Sequence, residues 1–529
     1  MSTDRKALPI GIQTFEDLRA SKDDFLYIDK TKEIFQLTRL NKGYYFLSRP
    51  RRFGKSMLCS TLQSLFDGKK ALFEGLNIHD HWDWTQTYPV IRMDMSAANY
   101  TDIGVVHEKL NTALKENAQN LGVDIALDAV PGTAFRSLIT EVSKKYQKQV
   151  VIIIDEYDKA IQDTLNKEGD LAAEAMDALR GFYSAIKASD AHVRFCFMTG
   201  ITKFTGMGLF SGANNFNDIS LDSKFASICG FTQNELENCF GSYFDHVDMD
   251  NVKRWYNGYN YLGDKVYNPF DILLFLDKGN SFQNYWWQTG TPTFLAKLFE
   301  KGEYQAYQLG SMELPAEELH HFTLKNLNLV SLLWQTGYLT IESVIEEPFG
   351  GSSYVLTTPN HEVQRALNAL FLTSLTDLRQ NAHHQQQHAL RSIFKNDLAG
   401  FEKAIRAMFS AIPYNNYVQS NIQKFEGYYA SVIYAYLLAL GLKTRTEQAT
   451  SAGRIDLVME SPSHIYIVEF KVNAPDPVAG QQGEAIQQII AQQYYAPYLN
   501  DGRPIVLIGM HFSEEEKNLS LFEVVEWKA

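Results

Sequence analysis

What this chain lacks narrows its class before any motif is read. Its 529 residues contain no stretch of about 18 uncharged apolar residues, so no membrane-spanning helix and no membrane partner are expected. The opening MSTDRKALPIGIQ has no apolar signal core, and the chain reads as cytoplasmic. Cysteine is scarce. Cys59, Cys196, Cys229 and Cys239 are scattered without metal-ligand spacing, which suits a reducing compartment and argues against a disulfide framework. A basic excess is also missing: 49 Lys+Arg face 62 Asp+Glu, a net charge of −13, so a polyanion would have to be met by local patches. No internal repeat is found. What is present is 45% hydrophobic and 13% aromatic residues, enough for packed cores. The length suggests about three or four domains.

The first 220 residues alternate strand and helix patterns. GYYFLSR is a short apolar run, and Leu58, Leu62, Leu65 and Phe66 follow at helical spacing. PVIRMDM (89–95) reads as a strand and 102–120 as a helix. VVIIID (150–155) and VRFCFMTG (193–200), either side of a helix near 172–188, have the continuous character of strands covered on both faces. The expectation for 1–225 is a P-loop NTPase: a parallel sheet with helices on both faces and ligands at the carboxyl ends of its strands. A helical lid is expected over 226–310.

Within 311–420, NLNLVSLLWQTGYLTI and SYVLTTPNHEVQRALNALF give helix, turn, strand, strand, helix. That order is winged-helix-like, and internal packing is the expected role in preference to DNA binding. NAHHQQQHAL (381–390) reads as a solvated helix or loop in preference to a metal site. A second α/β unit fills 421–529. A helix over 425–440 precedes the strands GRIDLVME and HIYIVEFKV, then come a helix over 483–496 and a last strand, PIVLIGM.

Two constellations carry chemistry. FLSRPRRFGKSML (46–58) ends in the Gly-Lys-Ser of a phosphate loop, although Arg49 stands where such loops have their first glycine. Lys55 suits the β- and γ-phosphates and Ser56 a Mg²⁺ ion, while Arg51, Arg52, Phe53, Gly54 and Met57 complete the nucleotide-binding segment. The partner is VVIIIDEYDKA. Asp155 would hold the Mg²⁺ shell, Glu156 would orient and deprotonate the attacking water, and Asp158 would either orient the site or cap the following helix, the cap being favoured. Thr199, or else Thr202, is a candidate γ-phosphate sensor or simply a strand terminator, and Lys203 a further phosphate contact.

The second constellation pairs Asp456 with Glu469-Phe470-Lys471. Residues i and i+2 of a strand share a face, so Glu469 and Lys471 project together and Asp456 can come opposite them across a hairpin. Two carboxylates and a carbonyl make an oxygen cage for Mg²⁺ or Mn²⁺, and the lysine can steer the attacking water. The alternative is an ordinary cross-strand ion pair.

YIDKT (27–31), SRPRRFGKS (48–56), IDEYDKA (154–160), SGANNFNDIS (211–220), WYNGY (255–259) and YNPFDI (267–272) together resemble AAA-ATPase-like proteins with a C-terminal PD-(D/E)XK nuclease-type domain. The resemblance implies that the arginine-rich loop is the family's form of the phosphate loop and that ATP is the nucleotide. It also implies a restriction-endonuclease-like α/β domain over 421–529, with Glu426 at the superfamily's first acidic position. Gln488 falls where a glutamine lies near the metal, with Gln487 the neighbouring alternative and Tyr494 or Tyr495 beside it. The expected function is an ATP-binding and -hydrolysing protein coupled to a metal-dependent nuclease, with DNA favoured over RNA and a homo-oligomer as one way to build a basic channel. The competing expectation is a regulatory ATPase switch whose C-terminal domain is a scaffold. It draws on the acidic balance of 421–529, where 8 Lys+Arg face 13 Asp+Glu.

Overall fold

The computed structural model describes residues 5–96, 99–127, 130–165, 167, 170–204, 215–286, 312–320, 328–348, 350–367, 388–389, 391–410, 433, 437, 443–450, 453–475 and 477–527. It divides into two units, Met1–Trp286 with Glu313–Asn360, and Trp287–Met312 with His361–Ala529.

The first unit is built on five parallel strands: β1 (Gly43–Ser48), β2 (Val90–Asp94), β3 (Val150–Asp155), β4 (Val193–Gly200) and the short β5 (Asn217–Asp218). Their order is β2-β3-β4-β1-β5. All six residues of β3 and all eight of β4 are buried, as their unbroken apolar runs require. Helix α1 (Lys55–Phe66) follows β1 directly, and α2 (Ile103–Leu121) follows β2. A further helix, α3 (Pro131–Tyr146), was not anticipated. Its start is marked by a proline in the first turn and its inner stripe is Phe135, Leu138, Ile139 and Val142. Helices α4 (Lys159–Thr164) and α5 (Leu171–Ala188) lead on to β4. The register sets Ser48 beside Gly200 and Asp94 beside Asp155, so the carboxyl ends of these strands lie along one edge.

Three short helices follow, α6 (Gln233–Phe240), α7 (Met249–Tyr256) and α8 (Pro269–Asp277). Leu236, Phe240, Val252, Tyr256, Ile272 and Phe275 form their core and also cover Leu26 and Ile28 from the N-terminal segment. The next module runs β6 (Met312–Pro315), α9 (Ala316–His320), α10 (Leu329–Thr336), β7 (Thr340–Glu346) and β8 (Ser352–Thr357), with sheet order β6-β8-β7. Every residue of α10 is buried.

The second unit contains a mixed sheet, β9 (Lys443–Thr450), β10 (Gly453–Glu460), β11 (Ile465–Val472), β12 (Ile505–Ser513) and β13 (Asn518–Trp527), in that order. Only β11 and β12 run parallel, and helix α12 (Glu484–Ala491), which packs on both, makes the crossover. A helix labelled α11 (Leu398–Ser410) packs on β13. Two strands correct the sequence reading: β9 precedes the expected pair, and the last strand is β13, beyond PIVLIGM. β13 is half-exposed along most of its length, so it lacks the apolar run that marks β12. The expected helix over 425–440 lies outside the described residues except for Ile433 and Leu437, which are helical. The His- and Gln-rich segment lies outside them too, apart from the helical His388 and Ala389.

Candidate functional site

The loop between β1 and α1 turns through two left-handed residues, Arg52 at φ 69° and Gly54 at φ 92°. A Cβ on Gly54 would touch nothing, so glycine is favoured there by its backbone angle and not by lack of room. The tight turn therefore sits at 52–54, and no glycine is needed at position 49. Arg49 goes inward instead and is 1% exposed. It donates to the carbonyls of Ser48 and Ser220 at 2.8 Å and of Phe225 at 3.3 Å, and its guanidinium carbon lies 3.6 Å from the centre of the Tyr261 ring.

Lys55, buried at the first position of α1, donates Nζ to the carbonyls of Arg49 (3.0 Å) and Pro50 (2.9 Å). Asp155 ends β3. Its Oδ1 accepts from the Glu156 amide at 3.1 Å, while Oδ2 is buried and meets no donor at hydrogen-bonding geometry among the described residues. Burial pushes the Asp155 pKa up, and the nearby Ser56 hydroxyl and Lys55 charge pull it back. An orphaned carboxylate oxygen close to a serine hydroxyl is a hard-oxygen pair that fits Mg²⁺. Glu156 adopts φ 52°, a costly angle for a non-glycine residue and one concentrated at functional sites. Its pKa is also raised, chiefly by burial, with Lys55 opposing.

In the second unit, the Oδ2 of Asp456 accepts from the Phe470 amide at 2.8 Å. The carboxylate of β10 is thereby fixed at the peptide that joins Glu469 to Phe470. Glu469 is 2% exposed, and Lys471 donates Nζ to its Oε1 at 3.3 Å and to the Phe470 carbonyl at 3.0 Å. Gly509 lies in register with Glu469 and would place a Cβ within 3.1 Å of Ala485, so the face that carries Glu469 is the one α12 covers. The donor set is again carboxylate oxygen, suited to a hard divalent cation.

Comparison with known proteins gives the family of each half of the chain. The family model of predicted AAA-ATPases matches residues 9–210, and that of the PD-(D/E)XK nuclease superfamily matches residues 424–521. An uncharacterized protein in the vnfD 5′ region of Azotobacter chroococcum mcd 1 is 40% identical over 524 residues, 98% of this chain and 99% of that one. The chain belongs to the AAA-ATPase-like family that carries a C-terminal PD-(D/E)XK nuclease-superfamily domain. Two solved structures from Aeropyrum pernix are distant matches. The ORC1 protein in complex with DNA has a TM-score of 0.28 and 11% identity, covering 65% of this chain and 93% of that one. The ORC2 protein has a TM-score of 0.27 and 10% identity, covering 65% and 91%.

The remaining expected residues of this AAA-ATPase-like chain fall as follows. Phe53 is buried edge-on against Tyr259, Arg52 lies over the Phe270 ring, and Arg51 reaches Gln162 at 3.4 Å. Met57, in the first turn of α1, is half-buried. β4 lies between the phosphate-loop strand and the acid strand, with Thr199 near its end. The Thr199 hydroxyl donates to the Leu47 carbonyl at 2.9 Å. Lys203 pairs with Asp218 at 2.5 Å.

Asp158 corrects the sequence reading: its side chain caps no helix. Instead it accepts from the Thr202 amide (2.7 Å) and hydroxyl (2.5 Å), the Ile201 amide (3.2 Å) and Gln162 (2.6 Å), lashing β3 to the turn after β4. Four donors in the interior would otherwise stay unsatisfied, and together they outweigh a single cap bond. In α12, Gln488 is half-buried and donates to the Tyr494 hydroxyl at 3.4 Å, whereas Gln487 is exposed. Tyr495 stacks on Trp527. Glu426 lies outside the described residues. Sequence reasoning passed over the inward role of Arg49 and its partner Tyr261. The only available signal was a charged residue in a glycine position. Among the described residues no helix is long and apolar enough to cross a membrane.

Proposed function

We propose that this chain binds and hydrolyses ATP at the 49–57 loop and cleaves nucleic-acid phosphodiesters, DNA in preference to RNA, at Asp456, Glu469 and Lys471. In the first site Lys55, Arg51 and Arg52 meet the phosphates and Phe53, Gly54 and Met57 shape the segment around them. Ser56 and Asp155 hold Mg²⁺, Glu156 takes the proton of the attacking water, and Thr199 stands on the strand between them. Bound Mg²⁺ supplies charge neutralisation at the phosphate oxygens. In the second site Asp456 and Glu469 hold Mg²⁺ or Mn²⁺, Lys471 orients water and offsets developing charge, and Glu426 and Gln488 complete the set. Domains at 1–225, 226–310, 311–420 and 421–529, a cytoplasmic location and a homo-oligomer accompany this reading.

The observation that carries it is the Asp456–Phe470 bond, which sets one carboxylate against the Glu-x-Lys strand as a metal-dependent nuclease needs. A second reading, a regulatory ATPase whose C-terminal domain binds without cutting, is favoured by the winged-helix-like segment. Its helix α10 is wholly buried and its exposed strand β7 carries Glu342 and Glu346, which suits packing and repels a phosphate backbone. A cleavage assay on single- and double-stranded DNA and RNA, run alongside phosphate release, separates the two. The nuclease reading expects Mg²⁺- or Mn²⁺-dependent cutting of DNA that Glu469→Gln abolishes, and ATP hydrolysis that Lys55→Ala abolishes. Hydrolysis without cutting on any substrate establishes the switch.

A further inference from the structure

Arg49 is a buried charge with no carboxylate in ion-pair contact among the described residues, although Asp218 acts on it from farther away. Among the described residues it forms no ion pair, and its Nε has no hydrogen-bond partner. Such burial is among the most expensive arrangements in a folded chain, and it pulls the Arg49 pKa down, although a guanidinium stays protonated near neutrality. The turn does not explain it, because Arg52 and Gly54 supply the left-handed angles. Its surroundings do offer an explanation. The three carbonyls and the Tyr261 ring hold the side chain in one place, and the same residue presents its own carbonyl to Lys55 Nζ at 3.0 Å. The neighbouring Pro50, whose carbonyl also holds Lys55, is pinned from outside. Gly337, at φ 89° after α10, approaches it so closely that a Cβ would lie 2.6 Å from the proline ring. The entry to the phosphate loop is thus anchored on one side by a fixed cation and on the other by the end of a buried helix.

We propose that Arg49 is a positioning residue that fixes the two carbonyls from which Lys55 departs to meet a nucleotide, and that its buried charge biases the site toward nucleotides with more phosphates. The proposal rests on the reading of the loop as a nucleotide site. A fixed positive charge on the residue whose carbonyl holds Lys55 raises affinity with each added negative charge, whereas a merely structural arginine affects all ligands alike.

The test is equilibrium binding of ATP, ADP and AMP to the full-length protein with Mg²⁺, alongside thermal melting. Arg49→Met, which keeps bulk and loses charge, is expected to cost about tenfold more for ATP than for ADP, and a smaller further step between ADP and AMP. Arg49→Lys should restore most of that gradient, although it cannot reproduce the flat stack on Tyr261. Tyr261→Leu keeps the charge and removes the ring, so it should lower the melting temperature and leave the gradient in place. Equal losses for all three nucleotides in Arg49→Met, or a gradient that collapses in Tyr261→Leu, would overturn the proposal. If Arg49→Met does not fold, Arg49→Gln, which is also neutral and keeps polar contact with the carbonyls, is read on the same criterion. Wild-type protein that binds none of the three nucleotides defeats the underlying nucleotide reading instead, which is a different result.

Discussion

The two candidate sites use the same side chains and distribute them in opposite ways. In the first, Lys55 gives its donors to the carbonyls of Arg49 and Pro50, and Asp155 keeps an oxygen that meets no donor at hydrogen-bonding geometry among the described residues. In the second, Lys471 already lies 3.3 Å from Glu469, and Asp456 is bonded to a peptide amide. One site keeps its opposite charges apart, and the other lets them neutralise each other. The difference follows from topology. The first draws on residues about a hundred positions apart, at the ends of strands separated by β4, so each group can be held by its own backbone. The second draws on a single hairpin, where residues two apart share a face and cannot avoid one another. A separated site is ready to take up a cation and an anion together; a self-neutralised one has to surrender an ion pair when a metal claims its carboxylate.

Lys471→Met tests that contrast most severely. Cleavage should fall by about a hundredfold or more, because the lysine's share in water activation is lost. Metal affinity should rise, since Glu469 is no longer shared. Mn²⁺ titration calorimetry beside the cleavage assay reads both. A fall in metal affinity together with activity would show that the two sites are not opposite in this sense.

Asp158→Asn comes next in size and concerns the scaffold of the first site only. The carboxylate accepts from the Thr202 amide and hydroxyl, the Ile201 amide and Gln162, and an amide side chain cannot accept all of them. A loss of about 3 kcal/mol is expected in urea unfolding, the range for hydrogen bonds to a buried charge. The transition of the second unit should stay where it is.

Most of the first fold was legible because its strands are buried on both faces and read as unbroken apolar runs. VVIIID matches β3 residue for residue, and VRFCFMTG matches β4. Half-exposed β13 and the helix α3 carried no such run, and both were missed. At the sites, the Gly-Lys-Ser and the Glu-x-Lys were readable because their chemistry needs fixed residue types at fixed spacing. Asp158 misled because an acid just before a helix is the usual mark of a cap, and its real partners, Ile201 and Thr202, are about forty residues away. Arg49 was visible only as a missing glycine. Nothing local in the sequence says that Tyr261 and Phe225 come to meet it.

The smallest effect expected is also the one that bears most directly on charge separation. The folded-state pKa of Asp155 lies above its unfolded value because of burial, so as pH rises the unfolded chain loses this proton first. Stability from this group is complete at low pH and is lost as pH climbs through the folded value. Asp155→Asn removes that liability. At pH 7.5 and without nucleotide it should melt higher than wild type, by about 2 °C, while losing the stabilisation that Mg²⁺ with a non-hydrolysable ATP analogue gives wild type. Glu469→Gln should move the other way, melting lower in the absence of metal, because Lys471 keeps its charge and loses the Glu469 ion pair. Differential scanning calorimetry of both variants from about pH 4, near the ordinary carboxyl pKa, up to about pH 8 reads the two signs. If both substitutions raise the melting temperature, both carboxylates are buried at a cost, and the hairpin site is no more self-neutralised than the loop.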